Sequence, residues 1–453
     1  MGKLKVFIHT VGCRANQADS AVLQAHLDPA VATMGAADDA DIFVINTCCV
    51  TTEAERDCKK TARRLLRENP AGKVLFTGCA VSAFADFSKE FDERVLVAGG
   101  GATSPATLGG WLNEYSRKSG DVVPLPAAKS RAHDYFSEPD EAAFRTVANV
   151  QGRTRALLKI QNGCTHNCTY CIVPKARGKE QSMPVEMVLK QVAALKDAGA
   201  MELVFTGVQI GAWGTDLPGT PTIAALLDEA AGVFAPGRIR LSSIEPWSVD
   251  EALIDVMAGN DRICRHLHMP LQSGDDGVLA DMKRGYTAAQ WLEKVRMAKA
   301  KIRDVSVGTD VICGFPTEDE KAFQNSLDVV SVSEVAYVHG FSYSRRPGTV
   351  AAQKWGENRQ VARERVRMLR ALGEKLQQRF IAGMMGKSVE ILVEDGHRGI
   401  TDNFLPVRLD DGGARTLVSG VLFRCMEQPD SVCAKINPYD TRHLSDVDLK
   451  RGN

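Results

Sequence analysis

No stretch of the chain approaches the ~18 consecutive apolar residues needed to span a bilayer. The first apolar stretch, Val6 to Val11, is broken by His9 and Thr10, so no membrane partner is expected. An excess of charge of either sign is also missing. The 56 basic residues meet 56 acidic ones, so bulk electrostatics require no nucleic-acid partner and leave any such contact to local patches. Cysteine is sparse: the 12 among 453 residues are too few for a disulfide framework in a chain this long. With no export signal read, the cysteines are expected as thiols in a reducing cytoplasm, and grouped ones as metal ligands or reactive thiols. What remains, 44% hydrophobic and 25% charged residues, is an ordinary globular balance. At ~150 residues per domain the length suggests about three domains.

The first eighty residues repeat one pattern, an apolar run that closes on a cysteine. The runs are Lys5 to Cys13, Asp41 to Cys48 and Lys73 to Cys79, each dense in β-branched and aromatic residues. Between the last two, Glu53 to Glu68 is a charged helical segment stopped by Asn69-Pro70. Steps of 35 and 31 residues from cysteine to cysteine suit one βαβ unit each. Ligands of such parallel sheets gather outside the carboxyl ends of the strands, so Cys13, Cys48 and Cys79 are placed to converge on one site. Buried free cysteines are common in cores, but three in register favour a joint site. Cys49 points to the face opposite Cys48 if the chain is extended there, and Cys58 reads as core.

Gly99 to Gly152, rich in Gly, Ala, Ser and Pro, reads as the tail of the first domain and a linker. A strand candidate, Thr154 to Ile160, then leads into Gln161-Asn162-Gly163-Cys164-Thr165-His166-Asn167-Cys168-Thr169-Tyr170-Cys171. This loop offers three thiolates where a structural zinc site takes four ligands. Further strand runs at 202–206, 238–241, 265–269, 305–312 and 335–343 alternate with helical stretches. About six βα units make a partial parallel barrel. Rim candidates are Gln209 and Trp213, then Ser242, Ser243 and Glu245, then Gln272 and Ser273, and Asp310, each with an ordinary turn or capping reading beside it.

The loop resembles the signature of the radical S-adenosylmethionine superfamily, in which three cysteines hold a 4Fe-4S cluster with one open iron and an aromatic residue, here Tyr170, precedes the last cysteine. Taken with the three strand-end cysteines, the chain resembles the methylthiotransferase family. The matching segments are Val11 to Gln17, Ile45 to Cys48, Thr77 to Cys79, Gly163 to Arg177, Thr206 to Gly211, His268 to Gly274, Thr309 to Pro316 and Tyr343 to Thr349. The resemblance implies an α/β auxiliary-cluster domain over 1–125, a linker over 126–150, a radical core with a partial (β/α)6 barrel over 151–384, and a small antiparallel β-barrel of TRAM type over 385–453. It implies two 4Fe-4S clusters, one on Cys13, Cys48 and Cys79 and one on Cys164, Cys168 and Cys171, with these six cysteines carrying the catalysis. Tyr170, Gln209, Ser243, Glu245 and Gln272 are the residues expected near S-adenosylmethionine. One S-adenosylmethionine would methylate a cluster sulfur and a second would yield the radical that takes a hydrogen from carbon. The implied partners are a tRNA substrate and an electron donor such as flavodoxin or ferredoxin, and the resemblance names no sulfur donor. The openings Gly-Cys-Arg-x-Asn-Gln and Asn-Thr-Cys-Cys-Val-Thr are most similar to the branch acting on N6-threonylcarbamoyladenosine beside the anticodon. Other branches act on isopentenyladenosine or on a ribosomal-protein aspartate.

Arg359 to Phe380 is an amphipathic helix whose arginines suit tRNA phosphates or simply a solvated face. The following short alternating runs suggest the small barrel, which resembles the family's RNA-binding domain through Gly399 to Phe404, with Phe404 placed to stack a loop base. From Gly386 onward there are nine Lys plus Arg and eleven Asp plus Glu, which gives no net attraction to phosphate. Cys264, Cys313, Cys425 and Cys433 read as core residues. A different class, a metal-binding RNA adaptor without catalysis, would hold zinc or iron in the same six cysteines for structure only.

Overall fold

A computed structural model describes residues 3–98, 104–118, 154–409, 416–425 and 432–436. The expected linker, 126–150, lies outside them. The first lobe is a five-stranded parallel sheet of β1 (Leu4–Thr10), β2 (Ala32–Met34), β3 (Ile42–Thr47), β4 (Lys73–Gly78) and β5 (Val95–Val97), in the order β2-β1-β3-β4-β5. All six residues of β3 are buried, as expected for a central parallel strand covered on both faces. Phe43, Ile45 and Phe76 pack beneath Leu65 of α2 (Thr52–Glu68) on one face. Ile42, Val44 and Leu75 meet Leu108 and Leu112 on the other. Each large apolar side chain so covered contributes roughly 1.5–3 kcal/mol. The order reverses between β1 and β3, which makes their carboxyl ends the switch point where a doubly wound sheet binds its ligand.

Next come the short helix α3 (Cys79–Ala83), α4 (Pro105–Arg117) and the strands of the second lobe: β6 (Arg155–Lys159), β9 (Glu202–Thr206), β10 (Arg238–Leu241), β11 (His266–His268), β12 (Ser306–Cys313) and β13 (Tyr337–Ser342). A minor hairpin, β7 (Gln161–Asn162) with β8 (Gln181–Ser182), interrupts them. The six are parallel in two arms, β10-β9-β6 and β11-β12-β13, joined by the bridge Ser243 to His268. This is the expected open barrel, split at its middle seam. The helices behind the strands start at Thr222, Asp250, Thr287 and Asp319, whose side chains each accept from the backbone N–H three residues on. Leu203, Phe205, Ile239, Leu241 and Leu267 face these helices and form the core. Their strand neighbours point into the lumen by the two-residue alternation.

A long helix, Arg359–Met384, lies against β13 and leads to a closed barrel of β14 (Ser388–Val393), β15 (Arg398–Thr401), β16 (Pro406–Leu409), β17 (Leu417–Arg424) and β18 (Val432–Ile436). Its seams are antiparallel except β16 to β18, which is parallel and closes the ring. Two expectations are corrected here. Cys425 and Cys433 are joined as a disulfide, because the β17–β18 hairpin brings Phe423 opposite Cys433 and Cys425 just beyond it. The segment Gly399 to Phe404 faces the second lobe instead of an open surface. Arg238 donates to the Ile400 carbonyl at 2.9 Å, and Arg240 to the carbonyls of Asp402 at 2.9 Å and Thr401 at 3.1 Å. Phe404, at φ +69°, turns its ring against His266 with centroids 4.5 Å apart and is not free to stack a base.

Candidate active site

The three strand-end cysteines are arranged by a lattice of short hydrogen bonds at the switch point. Asn16, at the start of α1 (Arg14–Ala25), donates to the carbonyls of Val11 at 2.8 Å and Thr47 at 3.0 Å, which ties the ends of β1 and β3 together. Its own amide oxygen lies 3.9 Å from Cys13 Sγ and 3.6 Å from Cys79 Sγ, so both sulfurs flank one atom. Thr47 Oγ1 donates to the Thr77 carbonyl at 2.6 Å and accepts from Ala80 N at 3.1 Å, which fixes the end of β4. Gly12 and Gly78 are both left-handed, at φ +113° and +92°. A Cβ at Gly12 would stand 2.8 Å from that of Cys48, and one at Gly78 only 2.3 Å from Asn46 Oδ1.

Burial pushes the Cys48 thiol up to about 12. Cys79 is brought down to about 6 by a hydrogen bond from the Cys49 thiol and, against the effect of burial, by the Arg177 guanidinium. Cys49 packs into the core with Cys58 and Phe76, and Cys48 lies outside that cluster, against Gly12.

The second set sits on the loop after β6. Gly163, at φ +73°, passes so close to Lys179 that any side chain would meet its carbonyl. Cys164 N donates to Gly178 O at 3.0 Å, Thr169 N to Met282 O at 3.0 Å, and Thr169 Oγ1 to Asp281 O at 2.7 Å. The Tyr170 ring packs edge-on against Phe315 and anchors the loop. Burial pushes Cys164 up to about 11 and Cys171 up to about 12. His166 packs its ring at a tilt against Trp247, with centroids 4.6 Å apart.

One side chain connects the two sets. Arg177 ends α5 (Val173–Arg177), six residues beyond Cys171, and crosses to the first lobe. It donates to Cys79 Sγ at 3.1 Å, to Asp19 at 2.9 Å and also to Asn16 Oδ1. Lys159, at the end of β6, meets the same Asp19 at 2.7 Å. Sequence reasoning missed Arg177, Asp19 and Lys159 as functional residues. Its one signal was that Arg177 closes the matched segment from Gly163.

Of the rim candidates, Gln209 is buried and its Oε1 has no partner, while its backbone N–H donates to Gln161 Oε1 at 2.8 Å. Glu245 pairs with Arg284, whose Nη1 lies 3.4 Å from Cys168 Sγ. Ser243 is exposed beside the middle seam, and Gln272 holds φ +65° where its N–H meets Asp310 O at 2.8 Å. Trp213 and Ser273 belong to the scaffold. The Trp213 indole N–H donates to Met183 O at 2.9 Å, and Ser273 accepts from Asp275 N at 3.2 Å.

Deeper in the lumen, Asp310 accepts from His268 at 3.0 Å and His339 at 3.2 Å. Burial opposes its ionisation, but these two bonds prevail and hold the carboxyl down to about 2. Among the described residues this is the one group in which three ligating atoms lie within 4.8 Å of one another. A zinc ion bound ~2.3 Å from each sulfur draws its thiolates to within ~4.6 Å. Neither cysteine set brings three sulfurs within 4.8 Å of one another, a spacing wider than a single zinc ion sets and suited to a multi-iron cluster.

An open parallel half-barrel bearing a three-cysteine loop on its first strand defines a radical S-adenosylmethionine enzyme, a class that works with that cofactor and a 4Fe-4S cluster. The Radical SAM superfamily model matches residues 158–330, and the Uncharacterized protein family UPF0004 model matches residues 5–99. The fold is similar to that of a radical S-adenosylmethionine methyltransferase from Kitasatospora setae, with a TM-score of 0.52 and 14% identity, covering 78% of this chain and 77% of that one. The chain is 34% identical to the threonylcarbamoyladenosine tRNA methylthiotransferase of Rickettsia prowazekii, over 93% of its length and 94% of the relative's. It is 32% identical to the protein of the same name in Bacillus subtilis, over 89% of each. It is 30% identical to the tRNA-2-methylthio-N(6)-dimethylallyladenosine synthase of Aquifex aeolicus, over 87% of this chain and 89% of the relative. The chain belongs to the tRNA methylthiotransferase family, transferases that use S-adenosylmethionine and two 4Fe-4S clusters.

Proposed function

We propose that this enzyme places a methylthio group on C2 of N6-threonylcarbamoyladenosine beside the tRNA anticodon, with Cys164, Cys168 and Cys171 holding the radical-generating cluster and Cys13, Cys48 and Cys79 the auxiliary one. The observation that carries the two-centre reading is Arg177, which rises from the radical loop and donates to the sulfur of Cys79 at 3.1 Å. Two cysteine sets joined by one side chain can serve one substrate atom, and proximity of this kind is a large contribution that a protein makes to such a transfer. Bound there, the clusters and S-adenosylmethionine supply the radical chemistry and the methylthio group.

The chain's own residues orient and enclose. Gln161 fixes the backbone of Val208 and Gln209 through its Oε1. That leaves the unpartnered Gln209 Oε1, with Ser243, Glu245 and Gln272 along the rim, to hold S-adenosylmethionine. Tyr170 braces the loop beneath it. Arg284 holds Glu245 beside Cys168. Electrons come from a donor of the flavodoxin or ferredoxin kind.

The threonylcarbamoyl reading draws on the relatives that bear that name, at 34% and 32% identity over most of the chain. Mass spectrometry of tRNA nucleosides from host cells with and without the gene tests it. Loss of 2-methylthio-N6-threonylcarbamoyladenosine alone is expected. Loss of a methylthiolated isopentenyladenosine instead would move the enzyme to the other tRNA branch, and no change in any nucleoside would favour a protein substrate or the adaptor class.

A further inference from the structure

A cavity of about 540 Å³ opens where the three lobes meet, within the size range of small-molecule pockets. Its walls include Arg14, Gln17 and Gln24 on one face of α1, Arg155 and Leu157 on β6, and Phe404 from the C-terminal barrel. The lining carries two arginines and no carboxylate. Arg155 is already paired with Glu394 at 3.1 Å. Glu202, the acidic residue of the lumen floor, is held by Arg238 at 2.7 Å and Arg240 at 2.9 Å. Arg14 is left over. Its guanidinium lies 5.7 Å from the centre of the Phe404 ring, and among the described residues no carboxylate lies within ion-pair distance of it. A half-buried cation with no counter-charge, facing a cavity without acids, is an anion site by its own chemistry.

We propose that Arg14 determines substrate choice by receiving the carboxylate of the threonylcarbamoyl group, which enters this cavity while the base stays at the rim beside the cysteines. The proposal rests on the reading of the substrate given above. Arg14 directly follows Cys13, so an N6 substituent reaching into the cavity passes from the reacting region to the guanidinium. Gln17 and Gln24, three and ten residues further along the same helix face, offer amides for the hydroxyl and carbamoyl groups. A dimethylallyl group has no charge and would leave the guanidinium desolvated and unpaired, and sites that recognise polar groups reject analogues lacking them for that reason. The anion could come from a second source, a phosphate of the RNA backbone, and the test separates the two.

Reconstituted enzyme is given three anticodon stem-loops carrying threonylcarbamoyladenosine, the same nucleoside with its carboxylate replaced by a neutral carboxamide, or plain adenosine. Wild type is expected to bind the first roughly tenfold or more tighter than the second. R14M should erase that difference by weakening only the first RNA, and R14K should restore most of it. Iron content and reductive cleavage of S-adenosylmethionine are measured alongside, so a disturbed cluster at the neighbouring Cys13 is recognised. Equal weakening of all three RNAs by R14M would assign the guanidinium to a phosphate and overturn the proposal. So would equal binding of carboxylate and carboxamide RNAs by wild type, a comparison that needs no variant. If wild-type enzyme turns over no threonylcarbamoyl RNA at all, the substrate reading itself has failed, whatever Arg14 does.

Discussion

Arg177 serves the sulfur of Cys79, the amide of Asn16 and the carboxylate of Asp19 at once. Replacing it with Met takes one of two cations away from Asp19, the other being Lys159, and the loss of charge-assisted bonds at a nearly buried site is expected to cost roughly 1.5–3 kcal/mol. A lower urea midpoint with an unchanged slope would record it. The cysteines make a sharper prediction. A Cys13, Cys48 and Cys79 triple alanine variant should still cleave S-adenosylmethionine reductively and transfer no methylthio group, as assays of the two products would show. Loss of cleavage would refute the division of labour. At this scale the sequence was readable where chemistry sets the spacing, in the loop from Cys164 to Cys171 and at the three strand ends. It was silent on Arg177, Asp19 and Arg284, whose partners are distant in the chain and whose types are common on surfaces. It misplaced Phe404, because nothing local distinguishes an aromatic that docks on another lobe from one that waits for a base.

Among the elements, the turns after β1 and β4 depend on left-handed glycines. Gly78→Ala places a methyl group against Asn46 Oδ1, 2.3 Å away, in a conformation that costs a non-glycine residue ~1–3 kcal/mol. The expected outcome is selective loss of the auxiliary iron, about half the total, with reductive cleavage retained. Iron analysis beside the cleavage assay checks it. Strands β3, β4 and β9 were legible because buried parallel strands are written as unbroken apolar runs. β2 and β5 were not, since three residues at a sheet edge are too few to show a period. The parallel seam of the small barrel also escaped notice, because alternation within a strand says nothing about the direction of its neighbour.

At the scale of the whole molecule, Glu202 is the buried charge on which two lobes close. Burial raises its carboxyl, but Arg240 and Arg238 overcome that and hold it down to about 2. Because its folded-state value lies below the ordinary ~4.3, its contribution is complete above that pH and is lost as pH falls through about 2. Glu202→Gln, which leaves two arginines without a full counter-charge, is expected to cost ~3–5 kcal/mol near neutrality. The gap from wild type should stay constant above about pH 5 and narrow in acid, as chemical denaturation across pH would reveal. Anaerobic analysis of the intact protein should find acid-labile sulfide and iron for two clusters and no zinc. Zinc, or an absence of sulfide, would favour the adaptor class.

Arg238 and Arg240 find their carbonyl acceptors 161 and 162 residues further along the chain. The half-barrel therefore leaves the ribosome with its base uncovered, and three charges destined for the interior stay hydrated until the last lobe is made. Their dehydration falls at the end of folding, in one docking event.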